Sequence, residues 1–211
     1  MTDFEGSPWE DDDETDAPRP ETTKPVTTKP ETTRAPETDP PVTEPVDTDS
    51  SETLPPNIIG DPDAEYEFYD VPLPELKQIY VIETAKEFGI PPEWIFGVMY
   101  VESRYQETAI HSSGKYIGIM QIAKSNLNML NKKFGITDLQ DFQQNVTAGA
   151  YFISYFNKKY DGDLDKILMC YHCGEGGAKS HWKNGILQDG YCRKVRGEID
   201  RILSSTYNPE A

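Results

Sequence analysis

Glu102 is the residue of this chain whose setting most resembles a working acid. Ile95, Val98, Met99 and Glu102 stand three and four apart, so a helix through them carries the glutamate on the same face as an apolar stripe. A carboxyl group buried among hydrocarbon is costly to ionise, and its pKa rises. A glutamic acid still protonated near neutral pH can give a proton to a glycosidic oxygen and, once ionised, take one back. Periodicity alone leaves open the plainer alternative of a glutamate near a helix end that turns to water. A second chemical group lies further on. Cys170, His172, Cys173, His181 and Cys192 offer enough sulfur and imidazole for a zinc ion, but the Cys-x-x-Cys falls at a helix end and overlaps Tyr171. No metal and no cofactor is expected. A disulfide between Cys173 and Cys192, with Cys170 buried, is the expected alternative.

Helices are needed to position these residues, and the pattern supplies them. Pro74 stands ahead of Leu76, Ile79, Tyr80, Ile82 and Ala85, and Gly89 ends that run. Pro91 and Pro92 open the Glu102 helix, Glu93 to about Ser103. Further helical patterns cover 123–133, 141–159, 164–173 and 190–204, broken at Gly135, at Asp161-Gly162-Asp163 and at Gly185. Strand alternation is nearly absent, so the fold class is mainly α.

Charge and proline divide the chain. Residues 1–70 hold 21 acidic against 4 basic residues and 12 of the 17 prolines, while residues 71–211 hold 16 of each charge. The whole net charge of −17 therefore belongs to the first third. A segment so acidic and so poor in apolar residues cannot offset its ordering entropy, and residues 1–70 are expected to be a disordered acidic Pro/Thr-rich linker or stalk. From Pro20 it runs PETTK, PVTTK, PETTR, APETD, PPVTE, PVDTD, a degenerate five-residue repeat. Extended polyproline II over residues 18–56 would reach about 120 Å. The folded domain is expected over 71–207. The longest apolar run, Ile95 to Val101, is far short of a membrane span. Met1 to Glu14 lacks the basic start and apolar centre of an export signal, so an exported protein of this sequence would owe its signal or anchor to a segment outside it.

The words around Glu102 form a longer pattern. Glu102-Ser103 is followed by a loop and Gly118-Ile119-Met120-Gln121, then Asn145 with Ala148-Gly149, Tyr171 to Gly174, and Tyr191 with Val195. In this order and spacing the chain resembles the soluble lytic transglycosylase family, whose relatives include goose-type lysozymes, across about residues 75–203. The resemblance implies a lysozyme-like helical domain acting on peptidoglycan glycan strands, as a monomer, outside the cell or in the cell envelope. No nucleic-acid partner is implied, and membrane association only through an upstream anchor. It assigns Glu102 as the acid and base that cleaves the bond between N-acetylmuramic acid and N-acetylglucosamine, closing the muramic sugar into its 1,6-anhydro form. It assigns Ser103, Met120, Gln121, Tyr171, His172 and Tyr191 to substrate binding. Met120 and Gln121 would line a sugar subsite, Tyr171 would orient Glu102 through its hydroxyl, and Tyr191 would form part of the cleft wall. Asn145 and Gly149 are expected to serve the fold.

Two departures accompany the resemblance. The family has asparagine after the motif tyrosine where this chain has His172, and His111-Ser112-Ser113 stands where relatives carry a serine motif. Ser112 or Ser113 is the candidate to take over the serine's contact. A lysozyme-type hydrolase would need a second carboxylate to activate water. Between Glu102 and Gly118 only Glu107 is acidic, and Glu175 is the other candidate. Hydrolysis, and a glycan-binding or adhesive module without turnover, are the competing readings.

Overall fold

The computed structural model describes residues 65–205. The stalk expected over 1–70 therefore lies outside the described residues except for its last six. Those six are not stalk-like. Tyr66 donates its hydroxyl to Glu83 at 3.1 Å, the backbone N–H of Tyr69 bonds Gln78 at 2.8 Å, and the Tyr69 ring lies 5.0 Å from that of Phe96. Tyr66 and Tyr69, just before Val71, are thus in contact with the first two helices.

The described residues form six helices and one short hairpin, a mainly α fold. Helix α1 (Glu75–Phe88) follows Pro74 and stops at Gly89, which takes the left-handed conformation (φ 65°) that glycine adopts at little cost. Helix α2 (Pro92–Ser103) has proline at its first position and is buried along most of its length. Strands β1 (Tyr116–Ile117) and β2 (Ile122–Ala123) pair antiparallel. A 3-10 turn (Lys124–Asn126) then leads into α3 (Leu127–Phe134). Helix α4 (Phe142–Lys159), α5 (Leu164–Lys183) and α6 (Gly190–Ser204) complete the domain. Each of these last three is capped by an aspartate, Asp141, Asp163 and Asp189, whose side chain accepts a backbone N–H of the first turn.

Helix α2 is the axle. It packs chiefly on α6 and also meets α1 and α4. Gly97 makes the α6 contact possible, since a Cβ there would stand 2.8 Å from Ile199 Cγ1. A helix buried on most of its sides must carry apolar residues around its axis, and Ile95, Phe96, Val98 and Met99 are wholly excluded from water.

Two helices differ from their sequence-based bounds. The pattern read as starting at 123 becomes helix only at Leu127, because the backbone of Ile122–Ala123 is committed to pairing with Tyr116–Ile117. The helix expected to end at Cys173 continues to Lys183 after a kink at Gly174 (φ 68°, ψ 160°). Glu175, the first residue past that kink, is buried and fixes the second half of α5. It accepts hydrogen bonds from Lys159 at 2.8 Å, Lys179 at 2.5 Å and Tyr160 at 3.0 Å. Burial alone would raise its pKa, yet these partners outweigh it and hold the carboxyl at about 2. Because the folded-state value is depressed from 4.5, the stabilisation is present above that pH and is lost as pH falls toward 2. Glu175→Ala is expected to cost roughly 2 kcal/mol at neutral pH, discounted for the exposed lysines, and almost nothing near pH 2. Thermal melts of both proteins across that range measure it.

Candidate active site

Glu102 lies in the last turn of α2, where two local effects disfavour its charge. The helix C-terminus is the negative end of the dipole, and the side chain is buried, with 7% of its surface open. The carboxyl pKa is pushed up by burial to about 8, against a hydrogen bond from Tyr191 that lowers it. At neutral pH this is a protonated acid. The helix end is closed by a reversal in which Arg104 N–H bonds Tyr100 O at 3.0 Å and Tyr105 N–H reaches Met99 O at 3.5 Å. Arg104 and Tyr105 are both left-handed (φ 53° and 62°), unusual for residues with side chains. Stacking offsets that strain at Arg104, whose guanidinium lies 3.9 Å from the centre of the Tyr100 ring.

The neighbouring turn, Gly118 to Gln121, links β1 to β2 and is held by backbone and side-chain bonds alike. Gln121 N–H bonds Gly118 O at 3.0 Å, and Gly118 N–H bonds Ala109 O at 2.7 Å. Asn145, wholly buried on α4, receives the Met120 N–H at 2.8 Å and donates to Ile117 O at 2.9 Å and Leu139 O at 2.7 Å. Gly118 must be glycine here, since its φ is 84° and a Cβ would stand 2.1 Å from Asn145 Nδ2. Ser103 ties this turn to α2 by donating to Ile119 O at 2.7 Å.

These contacts relocate several residues that the sequence assigns to the substrate. Met120 is wholly buried, with its thioether over Gly149, where a Cβ would come within 2.2 Å of Sδ. Its side chain belongs to the core rather than to a subsite. Ser103 is likewise buried and spends its hydroxyl on backbone carbonyls. Gln121 points its amide nitrogen at Gly118 O (2.8 Å) and Ala109 O (3.2 Å), bracing the turn from a half-buried position. Ser113 bonds His111 Nδ1 at 2.9 Å and Lys115 N–H at 3.3 Å, closing its own loop, while His111 meets Tyr116 edge-on.

The tyrosine roles are exchanged. The hydroxyl expected on Glu102 is that of Tyr171, but the structure directs Tyr171 to Met120 O at 2.8 Å. The hydroxyl that reaches Glu102 is that of Tyr191, 2.8 Å from Oε1 and buried. Both phenols are pushed well above 10, first by burial and then by the nearby Glu102, so they stay neutral donors. His172 bonds Asp189 at 3.0 Å and stacks on Tyr191 with ring centres 4.5 Å apart and planes 11° apart. Asp189 is absent from the sequence-derived site. The available signal was an aspartate directly before the closing helix, the position that favours an N-cap.

Neither candidate second carboxylate is free. Glu107 forms an ion pair with Lys77, and Glu175 is enclosed by Lys159, Lys179 and Tyr160. The Cys173–Cys192 disulfide is not formed. All three cysteines are free thiols, Cys173 donating to Met169 O at 3.0 Å and Cys192 to Asp165 O at 3.6 Å. Helical geometry turns the Cys173 sulfur back along its own helix, toward the preceding turn. Burial pushes the thiols up, to about 12 at Cys170 and Cys192 and about 11 at Cys173. They remain protonated thiols at neutral pH. Among the described residues no group of three or more His, Cys, Asp or Glu is arranged to hold a metal ion.

Residues 79–186 match the family model described as Transglycosylase SLT domain. That span contains Glu102, the Gly118–Gln121 turn, Asn145, Tyr171 and His172, and ends before Asp189 and Tyr191. The chain is also 27% identical over 110 residues to membrane-bound lytic murein transglycosylase F of Desulfosudis oleivorans, an alignment covering 49% of this chain and 23% of that protein. It thus spans about a quarter of the length of that relative. Among solved structures, an inactive variant of lytic transglycosylase Slt from Pseudomonas aeruginosa aligns with a TM-score of 0.48 at 21% identity, over 61% of this chain and 24% of that one.

Proposed function

The chain belongs to the transglycosylase SLT domain family, and from that footing we propose that it is a peptidoglycan lytic transglycosylase whose acid and base are both Glu102. The observation that carries the proposal is the state of that one carboxyl: buried, protonated at neutral pH and held in place by the Tyr191 hydroxyl.

The chemistry follows from a group of this kind. Glu102 gives its proton to the oxygen bridging N-acetylmuramic acid and N-acetylglucosamine, and the bond from that oxygen to the muramic C1 breaks. The carboxylate left behind takes the proton of the muramic C6 hydroxyl, and O6 closes onto C1. The 1,6-anhydro ring forms, the acid is restored and no water is consumed. Acid and base act in sequence, so one residue serves both steps. Tyr191 contributes by donating to Oε1 throughout, which matters most when that oxygen carries charge.

The ring-closing outcome is favoured over hydrolysis by the fate of the other carboxylates. An inverting or retaining hydrolase uses a second carboxylate facing the first. Glu107 and Glu175 are both bound to lysines, and neither contributes to the shifted proton affinity of Glu102. Such an enzyme would act in the cell envelope, where its glycan substrate lies. Among the described residues no helix is long and apolar enough to cross a membrane.

Digestion of purified peptidoglycan, with mass analysis of the released fragments, tests the proposal. Muropeptides ending in 1,6-anhydro-muramic acid, about 18 Da lighter than their hydrolysed counterparts, are the expected product. Reducing ends would move the protein to the hydrolases, and intact glycan would make it a binding module.

A further inference from the structure

Asp189 uses its two oxygens for two purposes. Oδ1 accepts the Cys192 N–H at 2.9 Å and caps α6, while Oδ2 holds Nδ1 of His172, on α5, at 3.0 Å. The imidazole lies flat against the Tyr191 ring, whose hydroxyl reaches Glu102. Four side chains from three helices thus form one connected series, from the carboxylate of Asp189 through imidazole and phenol to the acid of α2.

We propose that His172 and Asp189 are a positioning pair for Glu102, acting through Tyr191. The inference rests on the reading of Glu102 as acid and base. A phenol held only at its own Cα can swing its hydroxyl away from a partner, and a displacement of 1 Å from productive geometry can cost about a hundredfold in rate. The flat imidazole removes that freedom by covering the ring, and Asp189 removes the freedom of the imidazole. The carboxylate is well suited to this. Burial would raise its pKa, but the hydrogen bonds from His172 and Cys192 hold it well below the ordinary range, so it stays charged. The bond of His172 to this carboxylate selects the tautomer with the proton on Nδ1, which donates to Oδ2.

The role asks for a ring at position 172. Asparagine there could still donate to Asp189, but it has no ring to lay on Tyr191. The pair also joins α5 to the start of α6, across the loop between them.

Substitutions separate the tether, the stack and the helix cap, each read as kcat and KM on soluble glycan fragments and as the pH profile of kcat. His172→Ala is expected to lower kcat about tenfold or more, with KM changed by less than about twofold. His172→Phe, which keeps a ring on Tyr191 but loses the bond to Asp189, is expected to recover part of that loss and to fall no further than Asp189→Asn, whereas His172→Asn is not expected to recover it. Asp189→Asn keeps an N-cap side chain but loses the charge that holds His172, so its Tm should fall by a few degrees while kcat, measured well below that Tm, falls about threefold to tenfold.

The pH profile distinguishes positioning from general damage. Glu102 faces Tyr191 from α6 and Tyr171 from α5, both neutral throughout the relevant range. The Tyr191 hydrogen bond lowers the proton affinity of Glu102, so loosening it moves the alkaline limb of kcat to higher pH. His172→Ala and Tyr191→Phe should both shift that limb upward, the second by more. A fall in kcat with an unmoved limb would overturn the proposal, as would parental kcat in both His172→Ala and Asp189→Asn beside an inactive Glu102→Gln. Parental activity in Glu102→Gln would instead overturn the acid and base reading beneath it. If His172→Ala does not fold, the His172→Phe and Asp189→Asn comparisons decide.

Discussion

Glu102→Gln is expected to lose activity on peptidoglycan by at least about a thousandfold while becoming the more stable protein above pH 5. The first effect follows from removing a proton donor that also serves as acceptor, so that neither bond cleavage nor ring closure is assisted. The second has its origin in the same burial. The folded-state pKa of Glu102 is about 8 against 4.5 for the free side chain, so the folded protein binds the more protons between those values. Stability attributable to this group is fully present below pH 4.5 and is lost as pH rises through 8. The parental protein should therefore lose roughly 3 kcal/mol relative to the glutamine variant between pH 5 and pH 8. All other groups are common to both proteins and cancel in the difference. Denaturant melts at several pH values supply the measurement. Parallel stability profiles would mean that Glu102 is ionised in the folded state, and the proposed acid would then be absent at neutral pH.

Asn145→Leu should be the most damaging substitution to the fold at a residue with no part in the chemistry. Leucine approximates asparagine in size, so the change isolates polarity from packing. It would strand the N–H of Met120 and the carbonyls of Ile117 and Leu139 around a buried apolar side chain. Each group left without a partner costs about 1–3 kcal/mol, and the variant should lose about 3–5 kcal/mol, with Tm lower by on the order of 10–20 °C. The damage should also reach Glu102. Asn145 fixes the Gly118–Gln121 turn, and that turn takes the Ser103 hydroxyl beside the acid and, through Met120 O, the hydroxyl of Tyr171. A loss below about 1 kcal/mol would show that the turn holds itself, by the bonds of Gln121 to Gly118 and Ala109.

Much of this protein was legible in the order of its residues. Proline before each of the first two helices, glycine after α1 and α3, and aspartate before α4, α5 and α6 are local signals, and local signals act through backbone geometry that needs no tertiary partner. Helical spacing likewise placed Glu102 on an apolar face, because burial on a central helix follows from the residues three and four positions away.

What the linear order left undecided was which polar atom meets which. Tyr191 and Tyr171 are both tyrosines on late helices, and only the packing of α6 against α2 gives the first to Glu102 and leaves the second to Met120 O. Glu107 and Glu175 were both candidates for a second carboxylate until folding set each beside a lysine. The thiols could have paired, but helix geometry turned the Cys173 sulfur to a carbonyl of its own helix. A hydrogen bond depends on side-chain direction to within a fraction of an ångström, and across 89 residues of chain only the packed core supplies that precision. The sequence by itself placed an acid on the apolar face at the end of α2, and folding buried it. The tertiary structure decided what would hold it there: Tyr191, with His172 and Asp189 behind it.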